Sequence, residues 1–449
     1  MNYLSGLFNE NVSPYKFSLL RISLSLSILA EYVLLLYQRN WIDVFFNSFL
    51  MCLGLISTIL FLVGYKARIT SVLNYIFVFI NFSFLKVWEY HLDYGFLMIS
   101  FLMIFLNSGE VLSVDSRLNK STIRKKNKYF HVFLVMFVGL AFVYLDSILY
   151  KFSSGIWMNG LGMWYPAMMP YFGNGNIDFL LNFSILLIPL GFLTVFFELT
   201  FFIFLFVRRL WFIPFIVGLG LHIGIAVTFT IVNFGLLFSS VFIILLPDSF
   251  FDNYFSKNSK YEFRDTDDIC LKKSGAVLLF FFISQLFPTF TQSPYAKKLL
   301  SDNVKNSFLM RLPRAGAYHF FGITNHPVFM DNHFKNSNYV WRLVDQKTGR
   351  SDVLVNENGS PLFEMNGRVW VRFLKIMIKG YNQKTIDHML IPNLIKAIPL
   401  YGDENTNYVF QIKRYDVPAK EFKNNMRSKI NSLAWQDYGT IENSIFTKL

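Results

Sequence analysis

Lys151 and His91 each stand at the edge of a long apolar run, and a broken apolar segment, GIWMNGLGMWYPAMMPYF, follows the lysine at 155–172. An amine taken into an apolar pocket loses hydration, which favours its neutral form. A neutral amine can accept a proton near neutral pH. An imidazole can orient that amine or relay the proton. Trp157 and Trp164 in the broken segment, with Tyr150 beside the lysine, would line a pocket for an amphipathic ligand. The plainer readings are a snorkelling anchor for the lysine and an ordinary polar loop residue for the histidine.

Other ionisable side chains lie inside the apolar runs, where each is costly and a candidate for function: Arg21, Glu31, Asp146, Glu198 and His222. Glu198 and His222 fall on consecutive runs, each roughly 10–20 Å from the same end. They are expected to pair and join two helices. Gly220 and Gly224 flank His222 in a small-xxx-small pattern, which predicts close helix packing there. Arg21 and Glu31 are expected to share an internal polar network. Further on, His319, His326, Asp331 and His333 cluster, but NHPVFMDNH has no standard metal spacing such as HExxH, so no metal is expected. The Asn358-Gly359-Ser360 sequon matters only in a host that glycosylates.

The elements that carry these residues follow from composition. Of 449 residues, 53% are hydrophobic and only 16% charged, against roughly 25% charged in soluble domains. Lipid must solvate part of such a surface. Apolar runs long enough to cross a bilayer lie at 17–37, 42–64, 69–88, 92–108, 129–150, 178–207, 210–231, 233–247 and 274–291. The sixth contains Pro189 and Gly191, which predicts a kink, a tilt or two pieces. The segment 155–172 is too broken to span and reads as re-entrant or interfacial.

The net charge of +13 comes largely from short basic segments beside apolar runs. That is the pattern of topology signals and lipid headgroup contact, not of nucleic-acid binding. Arg117, Lys120, Arg124, Lys125, Lys126 and Lys128 put the loop after the fourth run in the cytoplasm, and Lys66, Arg68, Arg208 and Arg209 agree. The N-terminus is then cytoplasmic. The first run lacks a cleavable leader pattern and reads as a retained span. Cys52 and Cys270 are expected as free thiols. Beyond 292 charge rises and turn residues appear. YVWRLVD at 339–345 and YVFQIKRY at 408–415 read as strands, and 384–398 and 419–432 as helices. The expected architecture is an all-α polytopic membrane domain over 1–291, with about nine spans, followed by a small α+β extracytoplasmic domain over 292–449.

Several segments together resemble the transmembrane core of the vitamin K-dependent gamma-carboxylase family, whose bacterial relatives carry the horizontally transferred transmembrane (HTTM) domain. Arg21 in LLRISLSLSILAEY resembles the family's first-span arginine, and GYKAR at 64–68 its glycine-to-arginine turn. WEYHLDYG at 88–95 resembles the segment with the catalytic histidine, which falls on His91. SVDSRL at 113–118 matches the Ser-x-Asp signature and puts its acid on Asp115. YKFSSGIWMNG at 150–160 resembles the catalytic-lysine segment and places that lysine on Lys151. LHIGI at 221–225 and NFGLLFS at 233–239 resemble later spans. The resemblance runs in order over roughly 15–290. Three departures stand out: Lys151 is followed by Phe152 where the family has adjacent lysines, the His91-to-Gly95 spacing is one residue shorter, and the family's aromatic motif after the last span is not recognisable near 292–315.

What the resemblance implies is an enzyme of a bacterial cell membrane using a reduced naphthoquinone (vitamin K or menaquinol) as cofactor, with oxygen and carbon dioxide as co-substrates. Lys151 would deprotonate the quinol with the aid of His91. A secreted protein or peptide on the outer side would be the acceptor, its glutamate side chains the sites of carboxylation. From a different class comes an accessory membrane protein for the maturation or export of a secreted peptide. A transporter fits less well, since no inverted repeat or paired broken helices are visible.

Overall fold

The computed structural model describes residues 2–37, 45–84, 91–119, 123–173, 177–256, 262–265, 271–293, 295, 299–334, 337–362, 367–378, 383–403, 405–416 and 426–449. Helices make up most of these residues, and a four-stranded sheet lies near the C-terminus. Among the described residues three helices are long and apolar enough to cross a membrane: Tyr15–Leu36, Tyr129–Phe152 and Leu187–Phe204. A bent pair, Val232–Leu245 with Asp248–Phe255, would make a fourth; the two pieces diverge by 100°. Pro247 sits in that break and has no N–H to carry the ladder onward.

The ninth expected run lies within one continuous helix, Leu271–Gln292, and the remaining ones form shorter helices among the described residues. Ser48–Val63, Ala67–Phe82, His91–Met103 and Phe212–Thr228 are apolar but short. Residues 42–44 and 85–88 of the expected runs, and Cys270, lie outside the described residues. Thirteen residues at 1.5 Å give His91–Met103 a length of about 20 Å, below the roughly 30 Å of a hydrocarbon core. Nearly all of that helix is buried in protein. The sixth run divides into Ile177–Leu181, a 3₁₀ turn at Ser184–Leu186 and Leu187–Phe204. Along Leu187–Phe204, Phe192, Phe196, Leu199 and Ile203 stand exposed, an apolar face of the kind lipid covers.

The chain divides into two compact units. The first comprises 1–153, 196–223 and 233–326. Its connecting segments are knit together. Asn11–Val12 pairs antiparallel with Asn127–Lys128, and Ile123–Lys125 pairs parallel with Glu262–Arg264. Lys16 Nζ meets Asp248 at 3.1 Å, Arg208 pairs with Glu10, and Tyr129 N–H donates to Glu10 O at 2.8 Å. The N-terminal segment thus meets residues 127–129, Arg208 and Asp248, and residues 123–125 meet 262–264.

The second unit comprises 154–195, 224–232 and 327–449. Its sheet is an antiparallel meander, Ser337–Asp345, Tyr408–Asp416, Gln436–Glu442 and Ile445–Lys448 in spatial order. The first two strands contain the two strand-like runs seen in the sequence. Gly367–Ile378 is an amphipathic helix whose Val369, Trp370, Phe373 and Ile376 are buried. Spacing of three and four gathers them on one face. Trp341 from the sheet meets Phe373 at 5.5 Å and Trp370 at 6.3 Å. Trp370 Nε1 donates to Tyr171 O at 2.6 Å, so the broken apolar segment is tied into the same unit.

One pH response follows from this unit. His333 closes a short 3₁₀ turn, its Nδ1 accepting from Met330 N–H at 3.3 Å, and burial pushes it down to about 4. The unfolded chain, with an ordinary histidine near 6.5, binds more protons between those two values. Stability is therefore expected to fall as pH drops from about 6.5 to about 4. His333→Asn should flatten that fall, read as the difference in unfolding temperature between pH 7 and pH 5.

Candidate functional site

The Tyr129–Phe152 helix is continuous but carries a π-helical turn at Phe137–Ala141, around Gly139. Such a turn holds one extra residue and re-aims the side chains beyond it. Past it, Tyr144, Asp146 and Lys151 are all buried. The Leu187–Phe204 helix brings Glu198, and the Phe212–Thr228 helix brings His222. Lys151 Nζ lies 2.5 Å from Glu198 Oε1, with the two side chains 4% and 8% exposed. The second oxygen, Glu198 Oε2, is buried with no hydrogen-bond partner among the described residues.

Tyr144 OH and His222 Nε2 are 2.9 Å apart. The expected Glu198–His222 pair is thus corrected: both side chains turn to the Lys151 helix. The reason is that a third helix offers each a better partner, an amine for the carboxylate and a phenol for the imidazole. Phe238 stacks on the His222 ring at 5.3 Å. The close packing predicted at Gly220 and Gly224 is not found, since a Cβ on either would have nothing within 4 Å. The tight glycine on that helix is Gly218, whose Cβ would run into the Phe242 ring.

A second buried cluster adjoins the same helix. Asp146 accepts from His326 N–H at 2.6 Å, Thr289 Oγ1 at 2.7 Å and Asn325 Nδ2 at 3.2 Å. His326 Nδ1 lies 3.8 Å from Asp146 Oδ2. The His326 ring stands 5.0 Å from the ring of His91, at 30°. Tyr94 OH and Tyr318 OH are 2.6 Å apart beside it. The sequence reading assigned His326 to the outer domain and saw no link to Asp146. No local pattern in the sequence joins the two.

A third cluster gathers motif residues far apart in sequence. Arg21 Nη1 donates to Ser108 O at 2.5 Å, and Nη2 donates to Leu112 O. Asp115 accepts from the N–H groups of Lys66 and Ala67, both at 2.7 Å, and so caps the helix that starts at Ala67. Gly64 holds a φ of +67°, and its O accepts from Asp115 N–H at 3.1 Å. The expected Arg21–Glu31 network is corrected too. Ten residues of one helix separate them by about 15 Å. Glu31 instead accepts from Asn233 Nδ2 at 3.0 Å.

Tyr150 is buried on the Lys151 helix. Trp157 and Trp164 are buried in the second unit, where Trp157 Nε1 donates to Val328 O at 3.1 Å and Trp164 meets Tyr165 edge-on at 5.1 Å. Cys52 is an exposed free thiol on its apolar helix. Among the described residues no group of three His, Cys, Asp or Glu side chains could hold a metal ion. No family model, curated protein or solved structure matches the chain.

Proposed function

We propose that this chain is a membrane enzyme resembling vitamin K-dependent gamma-carboxylase, with about nine spans, a cytoplasmic N-terminus and its C-terminal domain outside a bacterial cell membrane. Its reaction would couple oxidation of a reduced naphthoquinone to carboxylation of a secreted protein or peptide. In overall balance, quinol and dioxygen give quinone epoxide and water. The base generated in that oxidation takes a C–H proton from the acceptor, and carbon dioxide takes the proton's place on carbon.

The observation that carries this reading is the burial of Lys151 against Glu198. A snorkelling anchor keeps its amine in water; this side chain is 4% exposed. The couple can take up one further proton, ending as ammonium and carboxylic acid whichever partner held the first. Glu198 Oε2, buried and unpartnered among the described residues, suits a hydroxyl donor such as a quinol. In a low-dielectric surround such a contact discriminates strongly between ionised and neutral states. A proton leaving the quinol would go to this couple, and His91 would assist. The convergence of Arg21, Gly64 and Asp115, all on motifs of the resemblance, supports the same family assignment.

The test is oxygen-dependent consumption of a reduced naphthoquinone by purified protein in nanodiscs, with Lys151→Ala and His91→Ala alongside. Epoxide formed by the parent and lost in both variants is the expected result. No turnover by well-folded parent, with acceptor peptides also supplied, would overturn the enzymatic reading and favour an accessory role in peptide maturation or export.

A further inference from the structure

Asp146 and His326 have no role in the resemblance or in the reaction just described, yet both are buried, His326 lies against His91, and Asp146 binds His326. We propose that they are positioning residues for His91: Asp146 holds His326, and His326 holds the His91 ring in place for proton transfer. The inference rests on the quinol reading.

The geometry supports it in three steps. Asp146 has a fully buried side chain, and a carboxylate in that setting is costly unless donors or a cation compensate. Three donors do so here, from His326 N–H, Thr289 Oγ1 and Asn325 Nδ2. They fix the carboxylate with one oxygen, Oδ2, beside His326 Nδ1 at 3.8 Å. His326 is thus pinned by its backbone at 2.6 Å, and its ring lies against that of His91 at 5.0 Å. A carboxylate behind an imidazole, one ring removed from the proton-accepting group, both orients that group and stabilises positive charge arriving on it. The other titratable groups facing the pair are Tyr94 on the His91 helix, Tyr318 on the Phe308–Phe321 helix and Tyr150 on the Asp146 helix.

Only a proton moves in this step: it leaves a quinol oxygen and is received with the help of His91, while Asp146 stays ionised. The nearby negative charge makes the protonated His91 easier to form. Removing that charge should let His91 stay neutral to lower pH.

The experiment is quinol turnover against pH for the parent, Asp146→Asn and His326→Phe in nanodiscs. Asparagine keeps an oxygen for the His326 N–H and removes the charge. Phenylalanine keeps the ring on His91 and removes both ring nitrogens. We expect maximal turnover to fall up to about a hundredfold in Asp146→Asn, the low end of general acid–base contributions. The acid limb of the profile should move to lower pH in Asp146→Asn, which loses the charge, whereas His326→Phe, which keeps it, should lower turnover without that move. Equal losses at every pH in Asp146→Asn, with the limb unmoved, would mean a merely structural role and overturn the proposal, as would unchanged rates in both variants. A parent that turns over quinol beside unaffected variants sinks this inference alone, whereas a parent without turnover sinks the quinol reading together with it.

Discussion

Lys151→Met should abolish quinol turnover and also destabilise the protein by about 3–5 kcal/mol, the usual result of removing one partner from a buried ion pair. The stability loss comes from Glu198, whose carboxylate would be left in a site where its side chain is 8% exposed. Protonation of Glu198 would relieve part of it, so the loss should be smaller at low pH. The companion variant decides what the pair is for. Lys151→Met with Glu198→Met replaces both charges by apolar side chains of similar length. Such replacements are often neutral or stabilising. The double variant is therefore expected to unfold at or above the parent's denaturant midpoint while remaining inactive. Activity retained by that variant would make the pair a structural clamp and would end the proposed role of Lys151. Unfolding in mixed micelles, followed by tryptophan fluorescence, and epoxide yield measured on the same preparations separate the two effects.

Lys151 and His91 stand out as candidates in the sequence because an ionisable residue at the rim of an apolar run has few cheap explanations. Their partners do not. Glu198 and His222 sit on consecutive helices, and chain order suggested that they meet. Partner choice is decided by which polar groups a third helix presents, and a one-dimensional pattern does not contain that. His326 lies 180 residues from Asp146. No local period joins them, and only the closing of the Leu271–Gln292 and Phe308–Phe321 helices on the first unit does. The lengths of the individual spans are blurred in the sequence for a related reason. An apolar run continues through turns such as the one that ends His91–Met103, so run length overstates helix length. In the second unit the strands at 339–345 and 408–415 were visible from dense β-branched and aromatic residues. The hairpin Gln436–Glu442 with Ile445–Lys448 was missed. Its strands carry few apolar residues, and its two-residue turn is Asn443-Ser444, both at positive φ, rather than the stronger Asn-Gly signal.

The cluster around Arg21 yields the second large effect, and it requires no catalytic assumption. Gly64→Ala is expected to destabilise the protein by about 2–3 kcal/mol or more. Its φ of +67° is strained for alanine, and the added methyl would collide with Ser113 Cβ and the Arg21 guanidinium. Arg21 is fully buried and spends its donors on Ser108 O and Leu112 O. Displacing it would leave a buried cation facing carbonyls it no longer reaches, a costly state. Asp115→Ala attacks the same cluster from the other side. It removes the cap from Lys66 and Ala67 N–H, worth about 0.5–2 kcal/mol, and takes away the carboxylate whose charge favours the Arg21 guanidinium. The two losses should not add in the double variant, because both act through the seating of Arg21. Gly220→Ala is the control: a Cβ there meets nothing within 4 Å, and exchanging helical glycine for alanine should be neutral or gain up to about 1 kcal/mol. If Gly64→Ala proved as mild as Gly220→Ala, the left-handed turn would not be seated on Arg21, and the convergence of these motif residues would lose its energetic meaning. The expected contrast would show instead that residues 21, 64 and 115 fold as one unit, although 94 positions separate the first from the last.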